Sequence, residues 1–93
     1  MAHFQDLQPV EGRLDFPLGR LTIVVEGHLD GEPKIHVWDL DVIRMHMHFG
    51  PKMVALVGSY RVIGDRQFST RLFLVRDSIK ELHFEGVFDG SDI

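Results

Sequence analysis

The sequence predicts an all-β protein, and three observations support this class. Five segments after residue 20 are rich in β-branched and aromatic residues, namely 21–25, 34–49, 53–63, 67–76 and 80–88. Clusters of Gly, Pro, Asp and Ser separate these segments and are typical of hairpin turns. No segment carries a confident helical pattern. We therefore expect a five-stranded antiparallel meander, curled into a small barrel or folded over as a sandwich.

The chain is expected to form one domain over residues 1–93, because 93 residues suffice for a single core. Residues 20–88 hold the predicted meander, and 89–93 form a short tail. Residues 1–19 are interrupted by Pro9, Gly12, Pro17 and Gly19 and fit neither a helix nor a strand. They are predicted to be an irregular N-terminal arm whose apolar side chains dock elsewhere.

The strand register can be predicted by placing the apolar faces of neighbouring strands together. The resulting register pairs Leu29 with Lys34, Phe49 with Lys52, Val62 with Phe68 and Leu74 with Leu82. In the second segment the inward-facing residues change from even to odd numbers near Val42 and Ile43. A β-bulge or sharp bend is expected there, because an extra residue reverses which side chains face inward.

The same register predicts that the second face of the sheet is also apolar at its centre, where Ala55, Val57, Phe73 and Val75 lie together. Cationic and imidazole groups are expected around it, from Arg44, Arg71 and His83. Exposed apolar patches of several hundred Å² usually mark interaction surfaces, so something is expected to cover this one. Either the N-terminal arm does so, with Phe4, Leu14, Phe16 and Leu18 as plugs, or a second chain does.

The pair His46 and His48 lies on one side of a strand, with α-carbons about 6.5–7 Å apart, a spacing that can chelate zinc or iron. A metal site needs further ligands, and His83 lies three strands away in a flat version of the predicted sheet. A divalent metal such as zinc therefore stays an alternative. In that alternative, a small barrel uses strand histidines to bind a metal or small ligand and has a metal-dependent activity.

Composition excludes several classes of function. The formal charge of −4 argues against general nucleic-acid binding, and the absence of cysteine excludes disulfides and thiol chemistry. No apolar run is long enough to cross a bilayer, and no signal peptide is recognisable, so a cytoplasmic protein without membrane contact is expected. Asp39 and Asp41 are expected on a solvated outer face, and no serine has the context of a nucleophile.

The favoured hypothesis is a non-enzymatic interaction module that self-associates or captures a protein partner through the second apolar face. No cofactor and no catalytic residue are assigned in it. Phage structural proteins and phage-encoded inhibitors of host defences include small acidic all-β proteins of this type, which is an analogy only. A further hypothesis is that histidines buried on assembly make the association weaken below about pH 6.

Overall fold

Seven antiparallel strands form one sheet in the computed structural model, which describes residues 2–4 and 12–87. The strands are β1 (Ala2–Phe4), β2 (Gly12–Phe16), β3 (Gly19–Leu29), β4 (Glu32–Phe49), β5 (Met53–Val62), β6 (Ser69–Val75) and β7 (Ile79–Gly86). Their order in the sheet is β1-β7-β3-β4-β5-β6, and β2 also pairs with β4. The predicted all-β class is confirmed. Within these residues, no helix is long and apolar enough to span a membrane.

The 18-residue strand β4 carries a bulge, and we call this place the bend because a bulged strand bends locally; it divides the sheet into two halves. Leu40 and Val42 are buried before the bend, and Met45 and Met47 are buried after it. The pairing with β5 shifts register between Val42 and Arg44, so the predicted bulge at this place is confirmed. On its other edge β4 pairs first with β3 and then, beyond the bend, with β2.

Gly58 lies in β5 opposite the bend and lets the two backbones approach closely. Its φ angle is 147°, in a region that side-chain-bearing residues rarely adopt. A Cβ atom at this position would lie 2.3 Å from the carbonyl oxygen of Arg44. The glycine is therefore required where the sheet turns from one half to the other.

The predicted registers place the correct faces together but are shifted by two residues. Leu29 pairs with Glu32 rather than Lys34, because Asp30 and Gly31 form a two-residue turn with φ angles of 55° and 80°. This turn type needs positive φ at both positions, and Asp-Gly is one of its preferred sequences. The β4–β5 pairing is shifted in the same way, with Phe49 opposite Val54. A shift of two leaves every side chain on its predicted face.

The prediction that the last strand pairs with its predecessor is wrong. β7 pairs with β3 and β1 rather than with β6, so Leu82 lies opposite Ile23 and not Leu74. A 3₁₀ segment (Arg76–Ser78) carries the chain from β6 to the other end of the sheet. Among the described residues β6 pairs only with β5, so the sheet stays open and the predicted closure into a barrel is not found.

The core lies on the inner side of the bent sheet and takes side chains from both halves. Ile23 of β3 and Leu72 of β6 line the same small cavity of about 70 Å³, although β4 and β5 separate their strands in the sheet order. Tyr60 is fully buried and its hydroxyl donates a hydrogen bond to the Leu56 carbonyl oxygen at 2.8 Å. The remaining buried residues of the cluster include Leu21, Leu40, Met47, Val54 and Leu82.

The prediction of an irregular arm is wrong for the residues that the structure describes. Residues 2–4 and 12–16 are strands, and β2 pairs with the second part of β4 through residue 16. The reason is alternation: Leu14 packs against the core and Phe16 is buried in it, with its ring centroid 5.1 Å from that of Phe84. Leu14 and Phe16 thus contribute to the core and are not plugs on the second face. Residues 89–93, the predicted tail, lie outside the described residues.

Candidate interaction surface

The outer surface of β5 and β6 carries the apolar patch that the sequence predicted. The register places Ala55 opposite Phe73, and Val57 opposite Arg71. Phe73 and Val75 leave 58% and 55% of their surface exposed. We call this surface the basic face and define it by six of the residues predicted for partner binding, Arg44, Ala55, Val57, Arg71, Phe73 and Val75.

The two arginines of the basic face have no hydrogen bond or ion pair with any described residue. Arg44 follows the bulge of β4, and Arg71 lies on β6 beside Val57. Nearby Arg13 differs, because its Nε atom donates to the Asp15 carboxylate at 2.7 Å. The basic face therefore presents two guanidinium groups with unused donors next to exposed apolar side chains.

His46 and His48 lie at one border of the basic face, and their ring centroids are 4.6 Å apart. Across β4 they face Asp15 and Arg13 of β2. Desolvation, together with the guanidinium of Arg13 and the imidazole of His48, lowers the pKa of His46 below its usual 6.5. Among the described residues, no three His, Asp or Glu side chains come together in a way that could hold a metal ion. The structure thus brings the two predicted ligands together without a third.

A groove of about 550 Å³ opens beside these histidines at the bend of the sheet. Arg13, Arg44 and His46 line it, together with Phe16 and Gly58. This groove was not predicted from the sequence, because residues 12–16 were not expected to pair with β4. The alternation of Leu14 and Phe16 was the available signal for a strand here.

His83 does not join the basic face, although the sequence predicted it there. It lies on β7 opposite Thr22 of β3, and its Nε2 atom is 2.9 Å from the Glu81 carboxylate. The physical reason is the strand order, because β7 extends the other half of the sheet. Arg20 of β3 is the residue opposite Glu85.

The carboxylates of Asp39 and Asp41 also lie on the outer surface of that other half, and both are paired. Asp39 accepts hydrogen bonds from Thr22 at 2.7 Å and from Arg20 at 3.2 Å. Asp41 accepts one from Arg61 at 2.8 Å. These contacts give both carboxylates a structural role as cross-strand ion-pair partners.

A two-stranded ribbon, residues 26–37, is a second exposed surface and was not predicted. Within the described residues, this part of β3 pairs only with β4 and this part of β4 pairs only with β3. Ile35 and Val37 on its outer surface are each 59% exposed. The Asp30-Gly31 turn between two long strands was the available signal for a protruding hairpin.

No family model, no curated protein and no solved structure matches this chain.

Proposed function

We propose that this protein is a non-enzymatic interaction module that self-associates through the basic face. The observation that carries the proposal is the combination of exposed Phe73 and Val75 with Arg44 and Arg71, which lack partners among the described residues. Aromatic residues and arginine are the side chains most enriched at protein interfaces. A second copy of the chain is the proposed occupant.

The apolar part of the basic face supplies the driving force in this proposal. Burying exposed apolar surface stabilises a complex by about 25 cal/mol per Å², before the costs of association are subtracted. The side chains lie on adjacent strands, so a flat partner surface contacts them together. Their rigid β-sheet backbone keeps the ordering cost of binding low.

The two arginines supply orientation and specificity. Each guanidinium group has five donors in a fixed plane and can bind a carboxylate through two of them. Because Arg44 and Arg71 form no ion pair with a described residue, neither arginine has to break one on association. A partner surface that combines apolar side chains with carboxylates fits this arrangement.

Sedimentation velocity over a concentration series tests the proposal. We expect the wild-type chain to sediment increasingly as an oligomer as its concentration rises through the micromolar range. The variant Phe73→Ser/Val75→Ser is expected to stay monomeric, because it removes the two most exposed apolar side chains of the basic face. Leu29→Ser/Ile63→Ser is the matched control, since it also removes two exposed apolar side chains but lies outside the basic face.

A wild-type chain that stays monomeric throughout the series would contradict self-association. Equal loss of association in the control variant would contradict the assignment to the basic face. A monomer in which Phe73→Ser/Val75→Ser lowers the free energy of unfolding far more than the control variant does would mean that the chain covers this face itself. A role as a phage-type structural or inhibitory protein is considered only if sedimentation shows an oligomer.

A further inference from the structure

The outer surfaces of the two halves of the sheet carry opposite charge. Around the basic face, the outward charged side chains are Arg13, Arg44 and Arg71 against Asp15, a formal charge of +2. On the other half they are Glu26, Asp39, Asp41, Glu81 and Glu85 against Arg20, Arg61 and Lys80, a formal charge of −2. The chain therefore carries both members of a complementary pair of surfaces.

The acidic half also has an exposed apolar stripe where the ribbon begins. Val24 lies directly opposite Val37, and Ile35 follows two residues along the same face of β4. Two carboxylates border the stripe, Glu26 opposite Ile35 and Glu81 opposite Val24. Glu26 lies 3.8 Å from the Lys80 ammonium and Glu81 lies 2.9 Å from the His83 ring, and each carboxylate keeps lone pairs for a further donor. We call these five residues the ribbon face.

The ribbon needs additional burial for a physical reason. Isolated two-stranded hairpins are marginally stable in water, and residues 26–37 have no third strand among the described residues. Ile35 and Val37 leave most of their surface in solvent. Contact of the ribbon face with an apolar partner surface would stabilise this part of the sheet.

A symmetric contact between two copies of the basic face is disfavoured by its charges. It would bring Arg44 and Arg71 of both copies into one interface, where Asp15 is the nearest acid and is already bound to Arg13. Like charges placed against each other in an interface cost several kcal/mol. The ribbon face supplies what the basic face lacks, namely apolar side chains bordered by carboxylates.

We propose that copies of this chain associate head to tail, with the basic face of one copy bound to the ribbon face of the next. This inference rests on the proposed function and specifies its partner surface. Phe73 and Val75 contact the stripe of Val24, Ile35 and Val37, while Arg44 and Arg71 approach Glu26 and Glu81. After one contact, one copy keeps its ribbon face unused and the other keeps its basic face unused, so the contact repeats.

A repeating head-to-tail contact produces a ring if its rotation closes and a filament if it does not. The two faces lie on opposite sides of the bend in β4, one formed by β5 and β6 and the other by β3 and the first part of β4. They therefore do not compete for the same partner copy. We expect oligomers larger than a dimer at high concentration.

Charge reversal on each face separately provides the main test. The basic-face variant is Arg44→Glu/Arg71→Glu, and the ribbon-face variant is Glu26→Lys/Glu81→Lys. We expect each variant alone to associate at least about tenfold more weakly than the wild type, because each puts like charges into the contact. An equimolar mixture is expected to associate again, since the two variants together restore opposite charges. Circular dichroism checks that each variant folds.

The possible outcomes separate this inference from the proposed function. A monomeric wild type would contradict both. An oligomeric wild type together with a ribbon-face variant that associates unchanged would contradict the head-to-tail contact alone, and would favour the symmetric one. If Glu81→Lys prevents folding, Ile35→Ser/Val37→Ser replaces it, because these side chains are exposed.

Cross-linking gives an independent measurement because the chain contains no cysteine. Val37→Cys and Phe73→Cys are introduced into separate preparations and treated with a short bismaleimide. We expect a cross-linked dimer in the mixture and little in either preparation alone. Leu29→Cys mixed with Ile63→Cys is the matched control. A dimer from Phe73→Cys alone at the yield of the mixture would contradict the proposal.

Discussion

The two halves of the bent sheet build their inner surfaces alike and their outer surfaces differently. On the inside, alternating apolar residues of β3 and of β5 contribute to the same core. On the outside, the acidic half pairs its charges across strands, as Arg20 does with Asp39 and Arg61 with Asp41. The basic half leaves Arg44 and Arg71 without a described partner.

This difference shows which residues the fold requires and which it leaves available. Exposed ion pairs contribute about 0–1 kcal/mol to folding, so the basic half loses little stability by lacking them. In an interface with an acidic partner surface, the same arginines set the orientation and specificity of the contact. The two arginines without a described partner are therefore available for the proposed contact without a large cost to folding.

The largest expected effect is on stability, and it distinguishes a glycine at the bend from a glycine in the ribbon. Gly58→Ala should lower the free energy of unfolding by about 3 kcal/mol or more, because the φ of 147° is strained for alanine and its Cβ would meet the Arg44 backbone. Gly27→Ala, in the ribbon, should change it by less than about 1 kcal/mol, because no atom lies within 4 Å of a Cβ there. Urea unfolding of both variants measures the difference.

Comparable losses in the two glycine variants would contradict the assignment of the bend to Gly58. Because the bend sets the two outer faces apart, Gly58→Ala is also expected to weaken self-association at temperatures where it remains folded. Gly27→Ala should leave the association as it is, since its position points away from the ribbon face.

A second prediction concerns the core next to the bend. Burial raises the pKa of Tyr60 to about 12, from 10.0 for an exposed tyrosine. The folded protein therefore keeps a proton that the unfolded chain loses, and stability should fall as the pH rises from about 10 to 12. The expected loss is about 2–3 kcal/mol relative to Tyr60→Phe. Tyr60 is the only tyrosine, so its ultraviolet titration is unambiguous.

A tyrosinate midpoint near pH 10 would show that this half of the core admits water. The Tyr60→Phe control itself should lose about 1 kcal/mol at neutral pH, because the Leu56 carbonyl oxygen loses its hydrogen bond. Below about pH 9, where Tyr60 keeps its proton in both the folded and the unfolded chain, that loss should not depend on pH.

The smallest expected effect lies at the border of the basic face. The lowered pKa of His46 means that the unfolded chain binds its proton more readily than the folded one, so stability should fall as the pH drops below 6.5. The charged groups around it are Arg13 and Asp15 on β2, and Arg44 and His48 on β4. Thermal melting should show a smaller acid-induced decrease for His46→Gln than for the wild type.

The matched control is His28→Gln, which lies at the end of the ribbon and should behave as the wild type. Equal acid sensitivity in His46→Gln and the wild type would contradict the prediction. The expectation that self-association weakens below about pH 6 is separate, because it requires the contact itself to desolvate histidines; sedimentation at pH 7.5 and 5.5 measures it.

Much of the sheet could be predicted because the alternation of apolar and polar residues along a strand is a local property. The change from even to odd buried residues at Val42 and Ile43 predicted the bulge, and the outer positions of Ala55 and Phe73 followed from the same alternation. Exact registers failed by two residues, because turn geometry sets them and alternation cannot distinguish a shift of two. The Asp30-Gly31 turn contained that information.

The place of β7 could not be obtained from alternation at all. Leu82 and Phe84 fit an apolar face equally well beside β6 or beside β3, and only the packed core selects β3. This choice removed His83 from the basic face and put Glu81 next to Val24 instead. The place of this one strand in the sheet thus decides which charges border each apolar surface.

The sequence by itself determined the class of the fold, the inward and outward side chains of the middle strands, and the bend in β4. These depend on neighbours along the chain, which alternation and glycine positions specify. The tertiary structure alone decided that β2 and β7 join the sheet, that the ribbon protrudes and that opposite charges gather on its two halves. These depend on contacts between residues far apart in the chain, where several arrangements bury the same apolar side chains and only the complete packing selects one.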